Sequence, residues 1–184
     1  MCNRIFISGN FLIIKNEFMS TFNWSTFVTR IPVNTTVEKL YWSWATKEGM
    51  EYWFLRLSEY KKKTGELRKE NELVQKGDTY KWLWHGWPDD TVEHGEILDC
   101  NGKDFLKFSF GKAGICSVMI KKEEDETIVE LEQQNIPEDD LGRQYYHLGC
   151  KTGWTFYLAN LKSLLEGGID LRNRNTNLSN VINS

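Results

Sequence analysis

The stretch GWTFYLANLKSLLEGGIDLR, Gly153 to Arg172, limits what this chain can fold into more than any other. Trp154, Tyr157, Leu158, Leu161, Leu164 and Leu165 recur at three- and four-residue intervals, which lays one apolar stripe along a helix. Asn160, Lys162, Ser163 and Glu166 fall off the stripe. Gly167 and Gly168 stop it, because glycine takes the left-handed conformation needed just past a helix end. Upstream, the acids Glu138, Asp139 and Asp140 suit a helix N-terminus. The spacing predicts a helix from near Asp139 to Glu166, about 25 residues or more. Everything before it must supply the surface that its apolar face covers.

The 184 residues suit one domain with a proper core. Eight tryptophans lift the aromatic share to 14%, enough wide side chains for a bulky core or the wall of an apolar cavity. A net charge of −3 offers no basic field for nucleic acid. Cys2, Cys100, Cys116 and Cys150 form no CxxC pair and read as free thiols in a reducing compartment, hence a cytoplasmic protein. No apolar run is long enough to span a bilayer. Residues 1–21 read as an N-terminal extension outside the native product. Ser8, Gly9 and Asn10 break what would have to be a signal-peptide core, and Met19-Ser-Thr-Phe reads as a natural start.

In chain order, Phe27, Thr29 and Ile31 alternate with Val28 and Arg30 as a first strand, with Pro32 closing it or marking an edge. Thr35 and Glu38 have capping-box spacing and open a helix with the face Val37, Leu40, Tyr41, Trp44. Met50, Trp53, Phe54 and Leu57 repeat that spacing as a second short helix, with Gly49 near the boundary. Lys61 to Gly65 is a solvated turn, and Glu66 to Val74 is at best an exposed edge strand. From Gly77 the period becomes two, placing Tyr80, Trp82 and Trp84 on one face and Lys81, Leu83 and His85 on the other. A strand from Glu93 to Cys100 meets a type I′ hairpin signal at Asn101-Gly102. Leu106, Phe108 and Phe110, then Cys116, Val118 and Ile120, then Val129, Leu131 and Gln133 share inner faces. Glu123 to Glu126 is a charged hairpin tip without the spacing of a calcium loop. Pro137 ends the sheet. The expected class is α+β: a curved antiparallel meander wrapped around a long C-terminal helix, with two short helices after the first strand. Residues 173–184, rich in Asn and Ser, read as a disordered polar tail.

Four pieces carry a more specific likeness: the early helix pair through Trp53-Phe-Leu, the run Gly77-Asp-Thr-Tyr-Lys-Trp-Leu-Trp-His-Gly86, the strand Gly95-Glu-Ile-Leu98, and Gly153-Trp with Leu161-Lys162 and Leu165-Glu-Gly-Gly-Ile-Asp-Leu171. Over residues 22–172 the chain resembles the homologues of the activator of the heat shock protein 90 ATPase, within the START-like, birch-pollen-allergen-like SRPBCC superfamily. The resemblance implies a helix-grip fold, in which the sheet grips the long helix with a cavity between them. In that superfamily the cavity binds lipids, hormones or polyketides and sometimes hosts catalysis.

The first functional expectation is therefore binding of a small apolar or aromatic, lipid-like ligand between sheet and helix. Its candidate lining is Trp44, Trp53, Tyr80, Trp82, Trp84, Leu106, Phe108, Phe110, Val118, Leu131, Gln133, Trp154, Tyr157, Leu158 and Leu161. For each of these a plainly packed core is the competing role. Gln133 either orients a ligand carbonyl or satisfies a buried backbone group. A second expectation is a cyclase- or aromatase-type enzyme, which needs a titratable group facing the cavity. His85, His147, Glu96 and Arg56 are the candidates. Alternation turns His85 outward, a seven-residue interval puts His147 on the face of Trp154, and Glu96 faces inward with Leu98. No nucleophile–base pair or phosphate loop appears, so no catalytic residue is assigned. His85, His94 and Glu93 flank a turn and make a three-ligand metal set only if the hairpin brings them together; no metal or cofactor is expected. A third expectation, a chaperone partner of the heat shock protein 90 type, rests on the resemblance alone. Read as a single domain, the chain would go without the separate N-terminal domain that eukaryotic activators also use, which speaks against this role. The oligomeric state stays open between monomer and homodimer.

Overall fold

A computed structural model describes residues 22–178 and 181–182. The expected extension, 1–21, and the expected start at Met19 lie outside the described residues. The described chain runs β1 (Phe27–Pro32), α1 (Val37–Ala45), α2 (Lys47–Trp53), β2 (Leu57–Lys61), β3 (Thr79–Leu83), β4 (Val92–Cys100), β5 (Phe105–Ser109), β6 (Ile115–Glu123), β7 (Glu126–Gln134), a π-helical segment Gly142–Gly149 and α3 (Cys150–Leu165). The seven strands form one antiparallel sheet in the order β1-β7-β6-β5-β4-β3-β2. β2 to β7 is a meander, and β1 closes on its last strand with Phe27 opposite Gln133 and Ile31 opposite Val129. Pro32 sits in that edge strand, where a missing N–H breaks no ladder.

Alternation decides which face is dry. Tyr80, Trp82, Leu106, Phe108, Cys116, Val118, Ile120, Val129, Leu131 and Gln133 are all buried on the inner face. The long helix covers them through Trp154, Tyr157, Leu158 and Leu161. It begins and ends close to where the stripe implied, and Gly167 stops it at φ +83°. Its first turns differ from a plain α-helix: Gly142–Gly149 is wound more widely, a rare form that is frequent at functional sites.

Several local readings are corrected. The cap of α1 is Thr36, whose hydroxyl accepts from the Lys39 amide at 3.2 Å; the Thr35 carbonyl instead accepts from the Thr127 hydroxyl at 2.9 Å. Leu57 is not helical. It opens β2 opposite Leu83, because α2 stops at Trp53. Thr46 forces the break between the short helices: its hydroxyl donates to the Trp42 carbonyl and accepts from the Gly49 amide, both at 2.9 Å. Gly49 packs so closely on the Trp42 carbonyl that a Cβ would collide with it. Residues 66–74 form a loop rather than a strand. A nearly buried Arg68 holds it by pairing with Asp78 and with Glu72. The Asn101 connection is longer than a two-residue turn, since the Asn101 side-chain oxygen accepts from the amides of Lys103, Asp104 and Phe105, each at 3.0 Å.

Past Gly167 the chain folds back onto the open end of α2, whose last carbonyls have no partner inside the helix. Arg172 donates to the carbonyls of Glu51 at 2.9 Å, Tyr52 at 2.8 Å and Leu55 at 3.2 Å. Asn160 donates to the Trp53 carbonyl at 2.6 Å and accepts from the Leu171 amide at 2.7 Å. Asp170 steadies the Arg172 guanidinium at 2.8 and 2.9 Å. The long helix, α2 and the following turn are thereby one clamped unit.

Candidate functional site

The aromatic inner face divides into a packed part and an open part. Trp44, Trp53, Tyr80, Trp82, Leu106, Phe108, Val118, Leu131, Gln133, Leu158 and Leu161 are all buried in the core. Their rings fill space against one another: Trp44 meets Trp53 edge-on at 4.6 Å between centroids, and Tyr80 stacks on Trp82 at 3.8 Å. Gln133 works as a tie. Its amide donates to the Ala113 carbonyl at 2.9 Å and the Tyr146 carbonyl at 3.4 Å, and its oxygen accepts from the Trp154 indole at 2.9 Å.

Trp154 and Tyr157 are buried too, but together with half-buried Trp84 and Phe110 they line an open cleft of about 710 Å³ between the start of the long helix and the β3–β4 turn. That volume is in the range of small-molecule sites. Phe54 forms its floor, in edge contact with Tyr157 at 4.6 Å and tilted against Trp154 at 5.0 Å. Phe110 closes one wall at 5.6 Å from Trp154. Trp87, Thr91, Gln144, Tyr145, Leu148, Cys150 and Thr152 complete the lining, and Ile182 of the tail reaches it.

The helix side of the cleft owes its depth to Gly149 and Gly153, four residues apart. A Cβ built on Gly153 meets no heavy atom within 4 Å, and one on Gly149 meets only the Gln144 carbonyl oxygen at 3.6 Å. Neither takes a positive φ. Nothing in the packing or the backbone requires glycine at either position, although each weakens the helix by about 0.5–1 kcal/mol relative to alanine. What the two glycines do is leave space.

Of the titratable groups that line the cleft, Cys150 and Tyr157 are held protonated by burial. It pushes up the Cys150 thiol, whose sulfur lies 3.8 Å from the Tyr145 carbonyl, and the Tyr157 phenol. The acid–base candidates lie elsewhere. His147 is 1% exposed, but it packs among Phe22, Trp24 and Phe27 and bonds through Nδ1 to the Trp24 carbonyl at 2.8 Å. The π winding accounts for this, because seven residues are no longer two turns and His147 leaves the face of Trp154. Glu96 is exposed, while Ile97 takes the inner face, opposite Phe108. A bulge after Ile97 then lets Cys100 face inward too, opposite Leu106. Arg56 pairs with Asp89 at 2.5 Å. His85 is half-buried; burial, then the charges of Arg172 and Arg174, push its imidazole down to about 4. Glu93 and His94 pair with Trp82 and Lys81 and so project from opposite faces, which keeps the set of His85, His94 and Glu93 from converging. Glu93 is the inward carboxylate: burial raises its pKa, and its oxygens lie against Gly111. A second depression of about 600 Å³ lies on the wet face of the sheet among Glu59, Lys61, Lys81, His94 and Glu96. Its mixed charges make it the weaker candidate.

A family model described as activator of Hsp90 ATPase homolog 1-like protein matches residues 34–166. The chain belongs to this family. The match starts before α1 and ends with the long helix, so it spans both walls of the cleft. Protein SSP2350 of Staphylococcus saprophyticus has the same fold at a TM-score of 0.62 and 20% identity, over 80% of this chain and 96% of that one. The Aha1 dimer from Colwellia psychrerythraea superimposes at 0.58 and 18% identity, over 78% and 97%. CalU16 from Micromonospora echinospora does so at 0.57 and 17% identity, over 79% and 77%. No curated protein matches in sequence. The helix-grip architecture expected from the family resemblance is thus the architecture found. Among the described residues no helix is long and apolar enough to cross a membrane.

Proposed function

We propose that this family member is a cytoplasmic binding protein for a small apolar or aromatic molecule, held in the cleft between the long helix and the β3–β4 turn. The observation that carries the reading is the glycine pair Gly149 and Gly153, facing open space opposite a wall of aromatic rings. A helix loses stability by keeping glycines there, and a ligand is what the space serves. Binding fits better than proton transfer, because burial holds Cys150 and Tyr157 protonated and no carboxylate, lysine, arginine or histidine is among the described residues that line the cleft. The test is native mass spectrometry of the purified chain and of Gly153→Phe. A reproducible small molecule near one per chain, absent from the variant, supports the reading. An empty protein that also ignores an apolar fluorescent probe sinks it.

A second reading, a protein partner, draws on Leu141, Tyr145 and Leu148, which are 64%, 58% and 52% exposed on one short segment. A second copy of the chain or a heat shock protein 90-type chaperone would cover them. Sedimentation of the chain alone, and a pull-down with that chaperone, separate the two; a monomer that recovers no chaperone counts against both.

A further inference from the structure

We infer that the cleft selects an uncharged ring system bearing a hydrogen-bond acceptor, and that the Tyr157 phenol is the donor that recognises it; this rests on the binding role proposed above. No Asp, Glu, Lys or Arg is among the residues that line the cleft. A charged head group would lose its water there and gain no counter-charge. The walls are rings set at steep angles to one another, Phe54 to Tyr157 at 80° and Phe110 to Trp154 at 46°. Such walls offer faces and edges to a planar ring, whereas an acyl chain gains only the burial of its surface.

Among the lining residues that are themselves buried, Phe54, Trp154 and Tyr157, one hydroxyl is left to make a polar contact. Tyr157 is 7% exposed and lines the cleft, and its phenol makes no hydrogen bond among the described residues. The hydroxyl oxygen is not among the fully enclosed polar atoms that lack a partner, so water or a ligand reaches it, and a ligand acceptor that displaces that water gives it a hydrogen bond in apolar surroundings. Two nearby donors are already engaged, and the remaining polar lining groups sit on residues more open to water. The Trp154 indole is bonded to Gln133. The Arg172 guanidinium, whose charge reaches Tyr157, is held by Glu51, Tyr52, Leu55 and Asp170. Burial raises the phenol's pKa, so it remains a donor at neutral pH. An acceptor on the ligand completes the site.

Three molecules of nearly one shape separate the contributions: fluorene, 9-fluorenone and fluorene-9-carboxylate, each measured by equilibrium dialysis against the full chain. The ketone is expected to bind more tightly than the hydrocarbon despite its weaker preference for apolar surroundings, and the carboxylate at least about tenfold more weakly than either. Tyr157→Phe removes only the hydroxyl. It is expected to lower the fluorenone-to-fluorene affinity ratio by about tenfold, the worth of one hydrogen bond, and to leave fluorene binding unchanged. A ratio that survives the substitution overturns the role of Tyr157, and tightest binding of the carboxylate overturns the uncharged class. If the variant does not fold, the unmodified protein still decides, since a ketone bound more weakly than the hydrocarbon also overturns the assignment. Binding of all three without discrimination sinks this inference alone. Failure of all three to bind sinks the binding role with it.

Discussion

Replacing Gly153 by alanine should make this protein more stable. The position lies inside α3, its φ is ordinary, and the added methyl meets nothing within 4 Å. No strain or clash therefore opposes the gain from helix propensity, about 0.8–1 kcal/mol, part of which comes from restricting the unfolded chain. For a chain of this size that is about 2–4 °C in Tm. Gly142→Ala is the control with the opposite sign, because a Cβ there collides with the Pro137 carbonyl. Overpacking of that kind costs about 1–3 kcal/mol. Thermal and urea unfolding followed by circular dichroism give both numbers under one set of conditions. A destabilised Gly153→Ala would refute the reasoning, since it would mean the space above Gly153 is filled. A stabilised one would show that the native glycine is kept at the expense of stability.

Four further outcomes are expected. Trp154→Ala should cost about 3–5 kcal/mol, because the indole is fully buried and bonded to Gln133. Trp84→Ala, at the half-buried cleft wall, should cost about 1–2 kcal/mol and weaken probe binding more than folding. Gln133→Leu leaves the Ala113 carbonyl and the Trp154 indole buried without partners and should cost about 2–4 kcal/mol in urea unfolding, whereas a neutral result would mean that water replaces the side chain. The Asp170 carboxyl is subject to burial, which would raise its pKa, but hydrogen bonds from Arg172 and Arg174 outweigh this and hold it well below the usual range. A folded value below the unfolded one means that its stabilisation is present above about pH 4 and is lost as pH falls through that range. Asp170→Asn should flatten the acid limb of the stability curve, and an unchanged limb would show that other carboxylates control it.

Much of the fold was legible because alternation and helical spacing are strong where one face is dry. Tyr80, Trp82, Phe108, Val118 and Leu131 fall on the inner face as their period requires. The misreadings come from places where two periods agree or one is interrupted. Leu57 stands at helical spacing from Trp53 and Phe54, so the helix pattern absorbed the start of β2. Ile97 and Leu98 are adjacent apolar residues, so parity could not choose between them, and the bulge resets it. The division between core and cleft was not legible at all. Trp82 and Trp84 look alike in sequence, yet β3 ends at Leu83 and only Trp82 stays under the helix. Two glycines within an apolar helix were the available signal for the cleft, and only the backbone shows that they face open space.

The clamp at Arg172 also has a consequence for synthesis. The ribosome makes the sheet before the long helix. Until residues 150–172 emerge, the apolar face of β3 to β7 has no cover, and the carbonyls at the end of α2 have no guanidinium. The contacts that complete the domain therefore join segments more than a hundred residues apart and form only once the long helix and the turn after it have emerged. Before then the nascent chain displays Trp82, Phe108 and Leu131 to whatever is nearby, and that interval is its greatest exposure to aggregation.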